Sequence, residues 1–150
     1  MSRLIIIRGL PGSGKSTFAH KLADKTGLLL IEPDALVVRD GEYDYTTQRF
    51  ADAVDTALTV LGLVASSPTH PDCVYADVLP TIADVERVWY RYLFAGTKEG
   101  KELVVYDMPL ISVEASLSRN RHGVIEEDIR RMQGDWQSWP GALSPEVGEP

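Results

Sequence analysis

The sequence is short of cysteine, of positive charge and of long apolar runs, and each shortage excludes something. One cysteine, Cys73, stands among 150 residues, so no internal disulfide can form and a reducing, intracellular setting is expected. Spanning a bilayer takes about 20 consecutive apolar residues. Its apolar runs, such as those at 4–7, 28–31 and 103–105, are strand-length. The chain passes from Met1-Ser2-Arg3 straight into the first of them with no small-residue cleavage site after it, so no signal peptide is expected. No membrane partner is expected, and the expected location is the cytoplasm (that of a host cell, if the gene is a phage's). Lys and Arg number 15 against 22 Asp and Glu, a net charge of −7. That balance excludes the broad basic face needed to clamp long duplex through its phosphates, but leaves room for a local basic site.

The hydrophobic fraction of 44% is enough to fill one core. No repeat or low-complexity tract interrupts the chain. Strand, loop and helix recur in that order, which predicts an α/β fold with a parallel sheet of about four to five strands flanked by helices. Strands are expected at 4–8, 28–31, 73–78 and 103–106. Helices are expected at 15–26, stopped by Gly27, at 47–61, and from the capping pair Thr81 and Asp84 onward. A last helix at 125–136 carries Glu126, Glu127 and Asp128 in its first turn and Arg130 and Arg131 later, as the helix dipole favours. Surface ion pairing is expected for at least one of those arginines. The segment 35–44 reads equally as loop or short helix. One domain over 1–137 is expected, with 138–150 as a loose tail poor in residues to bury.

The residues Gly9-Leu10-Pro11-Gly12-Ser13-Gly14-Lys15-Ser16 fit G-x-x-x-x-G-K-[ST] at every fixed position, between an apolar strand and an amphipathic helix. Glycines let backbone N–H groups turn inward around an anion, and the N-terminus of the next helix adds positive potential. Gly9, Pro11, Gly12, Ser13, Gly14, Lys15, Ser16 and Thr17 are therefore the candidate nucleotide-binding residues. Lys15 would reach the β- and γ-phosphates of ATP, and Ser16 would offer its hydroxyl to Mg²⁺. A plain Gly/Pro turn would have no use for a lysine and a serine in this register.

Ligands of such sheets sit at the carboxyl ends of the strands, where Asp34, Asp77 and Asp107 stand. A kinase acting on a hydroxyl needs a carboxylate to orient it and take its proton. Asp34, read as lying on the strand beside the phosphate-loop strand, is the candidate base and acceptor contact, with a helix cap or turn as its structural alternative. Asp77 interrupts an apolar strand. It is the candidate for a water-mediated Mg²⁺ contact or an acceptor contact, with a buried structural hydrogen bond as the alternative. Asp107, before Met108-Pro109, is expected to serve a turn. Ser118-Arg119-Asn120-Arg121-His122-Gly123 is a polar loop whose Arg119 and Arg121 can close over a triphosphate and stabilise charge developing in transfer. His122 reads as a structural loop histidine.

Taken together, these stretches resemble the polynucleotide 5′-hydroxyl kinase branch of the P-loop NTPases, which includes the phage enzyme and the zeta-toxin-like kinases. The likeness rests on Ile5-Ile6-Ile7-Arg8-Gly9 through Thr17 and on the lone Asp34. It rests also on Val105-Tyr106-Asp107-Met108-Pro109, followed by the Arg119-to-Val124 loop and Ile129-Arg130-Arg131-Met132. The resemblance implies ATP- and Mg²⁺-dependent phosphorylation of a hydroxyl on a nucleic acid, at a 5′-end or on a modified base. Asp34 would be the general base, and Arg119 and Arg121 the lid arginines. The phage-type enzyme carries an arginine one helical turn after its base. Val37 holds that spacing here, and Arg39, two residues on, is the candidate acceptor contact. Two other readings stay open: a kinase of small hydroxyl compounds (nucleoside, nucleotide, sugar or antibiotic), and a nucleotide-binding regulatory module with weak ATPase activity.

Overall fold

The computed structural model describes residues 2–39, 42–43, 47–96, 99–119 and 123–145, without the side chains of 37–39, 42–43 and 47–48. Strand β1 (Ser2–Arg8) leads through the glycine-rich loop into α1 (Lys15–Thr26), then β2 (Leu29–Ile31). A 3-10 turn (Pro33–Val37) and a short antiparallel pair, β3 (Val38–Arg39) with β4 (Glu42–Tyr43), precede α2 (Thr47–Ala65). The chain continues as β5 (Cys73–Asp77), α3 (Ile82–Leu93), β6 (Lys101–Asp107), α4 (Val113–Arg119) and α5 (Glu126–Asp135).

The four long-range strands form one parallel sheet in the order β2-β5-β1-β6. Helices cover both faces, which is why β1 and β5 read as unbroken apolar runs rather than alternating ones. Leu4 and Ile6 of β1, with Cys73 and Tyr75 of β5, meet Ala57 and Leu61 of α2 and Val85, Val88 and Tyr92 of α3. Ile5, Ile7, Val74 and Ala76 point the other way, onto Phe18, Ala19 and Leu22 of α1. Each such side chain contributes roughly 1.5–3 kcal/mol on burial, so the central strands are the most firmly held part of the molecule. The rigid strand ends are what position the loops above them.

Four expectations need correcting. First, β2 is not the neighbour of the phosphate-loop strand: β5 lies between them, with Arg8 of β1 in register with Asp77. A crossover can skip a position in a parallel sheet, and sequence order alone does not say which one it skips. Second, Ser118 and Arg119, expected in a polar loop over 118–123, are the last two residues of helix α4. It has no apolar stripe to announce it; the cue is the Ser112 hydroxyl accepting the Ala115 N–H at 3.1 Å, as an N-cap does. Third, the α2 pattern runs one turn beyond Leu61, because Ala65 continues its buried face and Gly62 does not break the helix. Fourth, the stretch expected to be a loose tail is docked as far as Leu143. The Leu143 N–H donates to the Val105 carbonyl at 2.8 Å, and the Asp107 N–H donates to the Leu143 carbonyl at 2.9 Å, a parallel bridge on the open edge of β6. A free sheet edge offers unpaired backbone groups to whatever chain passes it. Residues 146–150 lie outside the described residues.

Candidate active site

The loop after β1 takes the shape its glycines dictate. Gly12 and Gly14 sit at φ +79° and +90°, the left-handed region that side chains avoid. A Cβ at Gly9 would stand 2.4 Å from the Ser13 hydroxyl and 2.8 Å from the Met108 Cβ; at Gly12 it would stand 2.7 Å from the Arg119 Cβ. α1 starts at Lys15 with no side-chain cap and no acidic residue in its first turn, so its first N–H groups and dipole face an open space. The Ser13 hydroxyl is buried and has no hydrogen-bond partner among the described residues. Lys15 is only 9% exposed. An uncapped helix start, an unspent hydroxyl and a sequestered cation are together what a polyphosphate needs.

Ser16, the second residue of α1, donates its hydroxyl to Glu32 Oε1 at 3.0 Å, and Glu32 Oε2 lies 3.3 Å from His20 Nε2. Glu32 was not singled out in the sequence. Its signal was the position directly after β2, at a strand's carboxyl end, masked by the more conspicuous Asp34 two residues on. Asp34 itself sits in the 3-10 turn, half-buried. Asp77 ends β5, buried, its Oδ1 accepting the Val78 N–H at 2.8 Å. Burial pushes the Asp77 carboxyl up to about 7, and the charge of Asp34 adds to the rise; the Val78 N–H and Lys15 pull the other way. Asp77 therefore lies close enough to both Asp34 and Lys15 to feel their charges, although β2 and β1 are not adjacent strands. The structural hydrogen bond considered for Asp77 exists, and it leaves Oδ2 for a ligand.

Ser16, Glu32 and Asp77 are hard oxygen donors suited to Mg²⁺. Among the described residues no group of three His, Cys, Asp or Glu closes into a cage. An ion here would lean on water and phosphate oxygens, which is how Mg²⁺ is commonly held. The residues present thus fit both ATP and its metal.

α4 brings Arg119 to the loop. The Ser116 hydroxyl, buried, donates to the Pro11 carbonyl at 2.6 Å and locks α4 onto the phosphate loop, with the Arg119 stem against Gly12 and its head exposed. Thr17 is exposed on α1. The candidate Arg121 and the neighbouring His122 lie outside the described residues, as does the side chain of Arg39, whose backbone belongs to β3. Arg130 pairs with Glu126 at 2.9 Å and Arg131 with Asp128 at 3.2 Å, both on the surface as expected. Asp107 does not serve a turn: it ends β6 and pairs with Arg8 at 3.1 Å.

The buried Asp77 carboxylate makes a testable pH signature. Its folded-state value lies above the ordinary carboxylate value of 3.8, so folding takes up a proton between about pH 4 and 7. The stability this proton confers is complete below pH 4 and is lost as pH rises through 7. Asp77→Asn keeps an oxygen for the Val78 N–H and carries no charge. In the nucleotide-free protein it is expected to raise the melting temperature at pH 8 and to leave it unchanged at pH 4. Melting curves at pH 4, 6 and 8 check this; a difference that does not grow with pH contradicts the burial of a titrating carboxylate.

Comparison with known proteins places these features in a family. Residues 4–124 match the AAA_33 family, described as an AAA domain. An uncharacterized protein from Pasteurella multocida (strain Pm70) is 32% identical over 144 residues, covering 88% of this chain and 75% of the relative. Among solved structures, a gluconokinase from Sinorhizobium meliloti 1021 superposes with a TM-score of 0.57 at 19% identity, over 97% of this chain and 83% of its own. The Pnkp1/Rnl/Hen1 RNA repair complex contains a chain that superposes with a TM-score of 0.66 at 14% identity, over 89% of this chain and 43% of that one. At these identities the solved structures speak for the fold alone. No described helix is long and apolar enough to cross a membrane. The chain belongs to the AAA_33 family and has the fold of a P-loop kinase, with a four-stranded parallel sheet flanked by five helices among the described residues.

Proposed function

We propose that this protein transfers the γ-phosphoryl group of ATP to a hydroxyl of a nucleic acid, most simply a 5′-hydroxyl end, with a hydroxyl on a modified base as a variant. The observation that carries the reading is a buried Asp77 carboxylate that feels both Lys15 and Asp34, together with an uncapped helix start and an unpartnered Ser13 hydroxyl. A mere anion site needs no carboxylates; a transfer site needs one to take a proton. The backbone N–H groups at Gly12–Ser16 and the Lys15 ammonium hold the polyphosphate. Ser16 and Asp77 are the residues that would hold Mg²⁺, Asp77 by way of water. The ion would supply positive charge to offset that of the phosphates.

Asp34 orients the acceptor hydroxyl and receives its proton. The acceptor oxygen forms a bond to the γ-phosphorus as the bond from that phosphorus to the β–γ bridging oxygen breaks, and ADP leaves with the electron pair. Arg119 and Arg121 close over the charge that develops. Arg39 contacts the acceptor. The order of motifs shared with 5′-hydroxyl kinases supports the nucleic-acid acceptor. A second reading, a small hydroxyl compound, is favoured by Glu32, Asp34 and Asp77 gathering at the strand ends of a chain of net charge −7, a setting that repels a phosphate backbone.

Incubation with γ-labelled ATP, Mg²⁺, 5′-hydroxyl oligonucleotides of both strandednesses and a panel of sugars and nucleosides tests it. Label on oligonucleotides is the expected result. Label on small compounds alone moves the acceptor to the second reading, and label on neither overturns both.

A further inference from the structure

Arg8, the residue before the phosphate loop, is fully buried, an environment that a guanidinium tolerates only when paired. Burial lowers its pKa, and Asp107 counters that by favouring the charged form. All of its reach is spent locally. Nε and one terminal nitrogen donate to the Leu79 carbonyl at 2.9 and 2.7 Å, while the other terminal nitrogen donates to the two Asp107 oxygens at 3.1 and 3.3 Å. The Trp136 ring lies 4.2 Å from its guanidinium carbon, a cation–π contact. Asp84, at the start of α3, adds a more distant negative charge.

Leu79 is the one described non-glycine residue at positive φ, +48°. A leucine in that region is strained by roughly 1–2 kcal/mol and stays there only if its surroundings hold it. Arg8 holds it from one side. From the other, the Gln137 N–H donates to the Pro80 carbonyl at 2.8 Å and the Gln137 side-chain oxygen accepts the Ile82 N–H at 2.9 Å. The Trp139 N–H then donates to Asp107 Oδ2 at 3.3 Å, closing the ring of contacts. The turn so clamped begins at Asp77, whose rotamer is pinned by the N–H of Val78, the residue before Leu79.

We propose that Arg8 is a positioning residue: by clamping the strained turn 78–80 against the base of the phosphate loop, with 136–139 as the opposite jaw, it aims the Asp77 carboxylate at the metal–nucleotide site. This rests on the phosphotransferase reading for its consequence in turnover, but the clamp itself is tested by binding. Arg8→Met removes every donor at similar length; Arg8→Lys keeps the charge but not the fork that serves Leu79 and Asp107 together.

ATP affinity is measured by calorimetry with and without Mg²⁺, alongside kcat, KM for ATP and a melting curve. In Arg8→Met the affinity of metal-free ATP is expected to stay at the wild-type value. The gain in affinity on adding Mg²⁺ and kcat are each expected to fall about 10- to 100-fold, the usual cost of losing a residue behind a metal contact. KM for ATP is expected to move less than kcat, and Arg8→Lys to recover little. Should Arg8→Met fail to fold, Asp107→Asn and Gln137→Ala loosen the same clamp one contact at a time and are expected to reduce the Mg²⁺ gain in the same direction. A folded variant with an unchanged Mg²⁺ gain and unchanged kcat overturns the proposal, as does an equal loss with and without metal, which marks a merely structural arginine. If the wild-type protein transfers phosphate to no acceptor, the functional reading fails, and the Mg²⁺-dependent affinities still decide the role of Arg8.

Discussion

Asp34→Asn is expected to cut phosphoryl transfer by about 10²–10⁴-fold, the range over which a general base acts, with ATP affinity unchanged. The asparagine has nearly the same shape and can still accept a hydrogen bond from the acceptor hydroxyl, so orientation survives; what is lost is the capacity to take the proton. Asp34 lies outside the phosphate loop, on the 3-10 turn that follows β2, so no group that grips the phosphates is removed. The measurement pairs calorimetric ATP affinity with single-turnover transfer. Intact transfer would remove Asp34 as the base. The same variant separates a kinase from a regulatory nucleotide-binding module, because slow hydrolysis without a dedicated acceptor needs no residue to deprotonate a hydroxyl, and its rate would be nearly unmoved.

Lys15→Ala is the second large effect. A buried cation 9% exposed at the open start of α1 sits where the helix dipole is already positive, a placement that costs the nucleotide-free fold about 0.3–1 kcal/mol. Its justification comes with the phosphates, whose charge it meets in a site partly shielded from water. Alanine is expected to weaken ATP binding and to lower transfer by about 10²–10³-fold, the loss seen when one preorganised electrostatic donor is removed. The melting temperature without nucleotide is expected not to fall. Stability and activity thus part ways in this variant. A destabilised apo protein, or full turnover, would contradict the phosphate-cradle assignment.

The phosphate loop was legible because its chemistry is local. Nine consecutive positions from Gly9 to Thr17 supply the glycines, the cation and the hydroxyl, and a strand before and a helix after complete the unit. The same holds for the Thr81–Asp84 capping box, found as expected, and for the i,i+3 and i,i+4 ion pairs of α5. What resisted reading was anything made by residues far apart in the chain. Glu32 meets Ser16 because β2 returns beside α1. Asp107 looked like a turn residue because its partner, Arg8, is 99 positions away. The stretch after 137 looked expendable because it is rich in Pro, Gly, Ser and Glu, yet Trp139 and Ala142 pack against the core and Leu143 hydrogen-bonds to the edge of β6, contacts that only the folded chain brings together.

Short-range physics therefore settled the class of this protein from its residues alone: unbroken apolar strand runs, period-3.6 helix faces, glycines for positive φ, and an anion cradle at a helix start are all properties of neighbouring positions. The order β2-β5-β1-β6 was decided only in three dimensions, because a parallel crossover can pass over a strand position without altering any local pattern. From that order came the register that sets Arg8 between Asp77 and Asp107 at the strand ends, with Asp107 as its ion-pair partner.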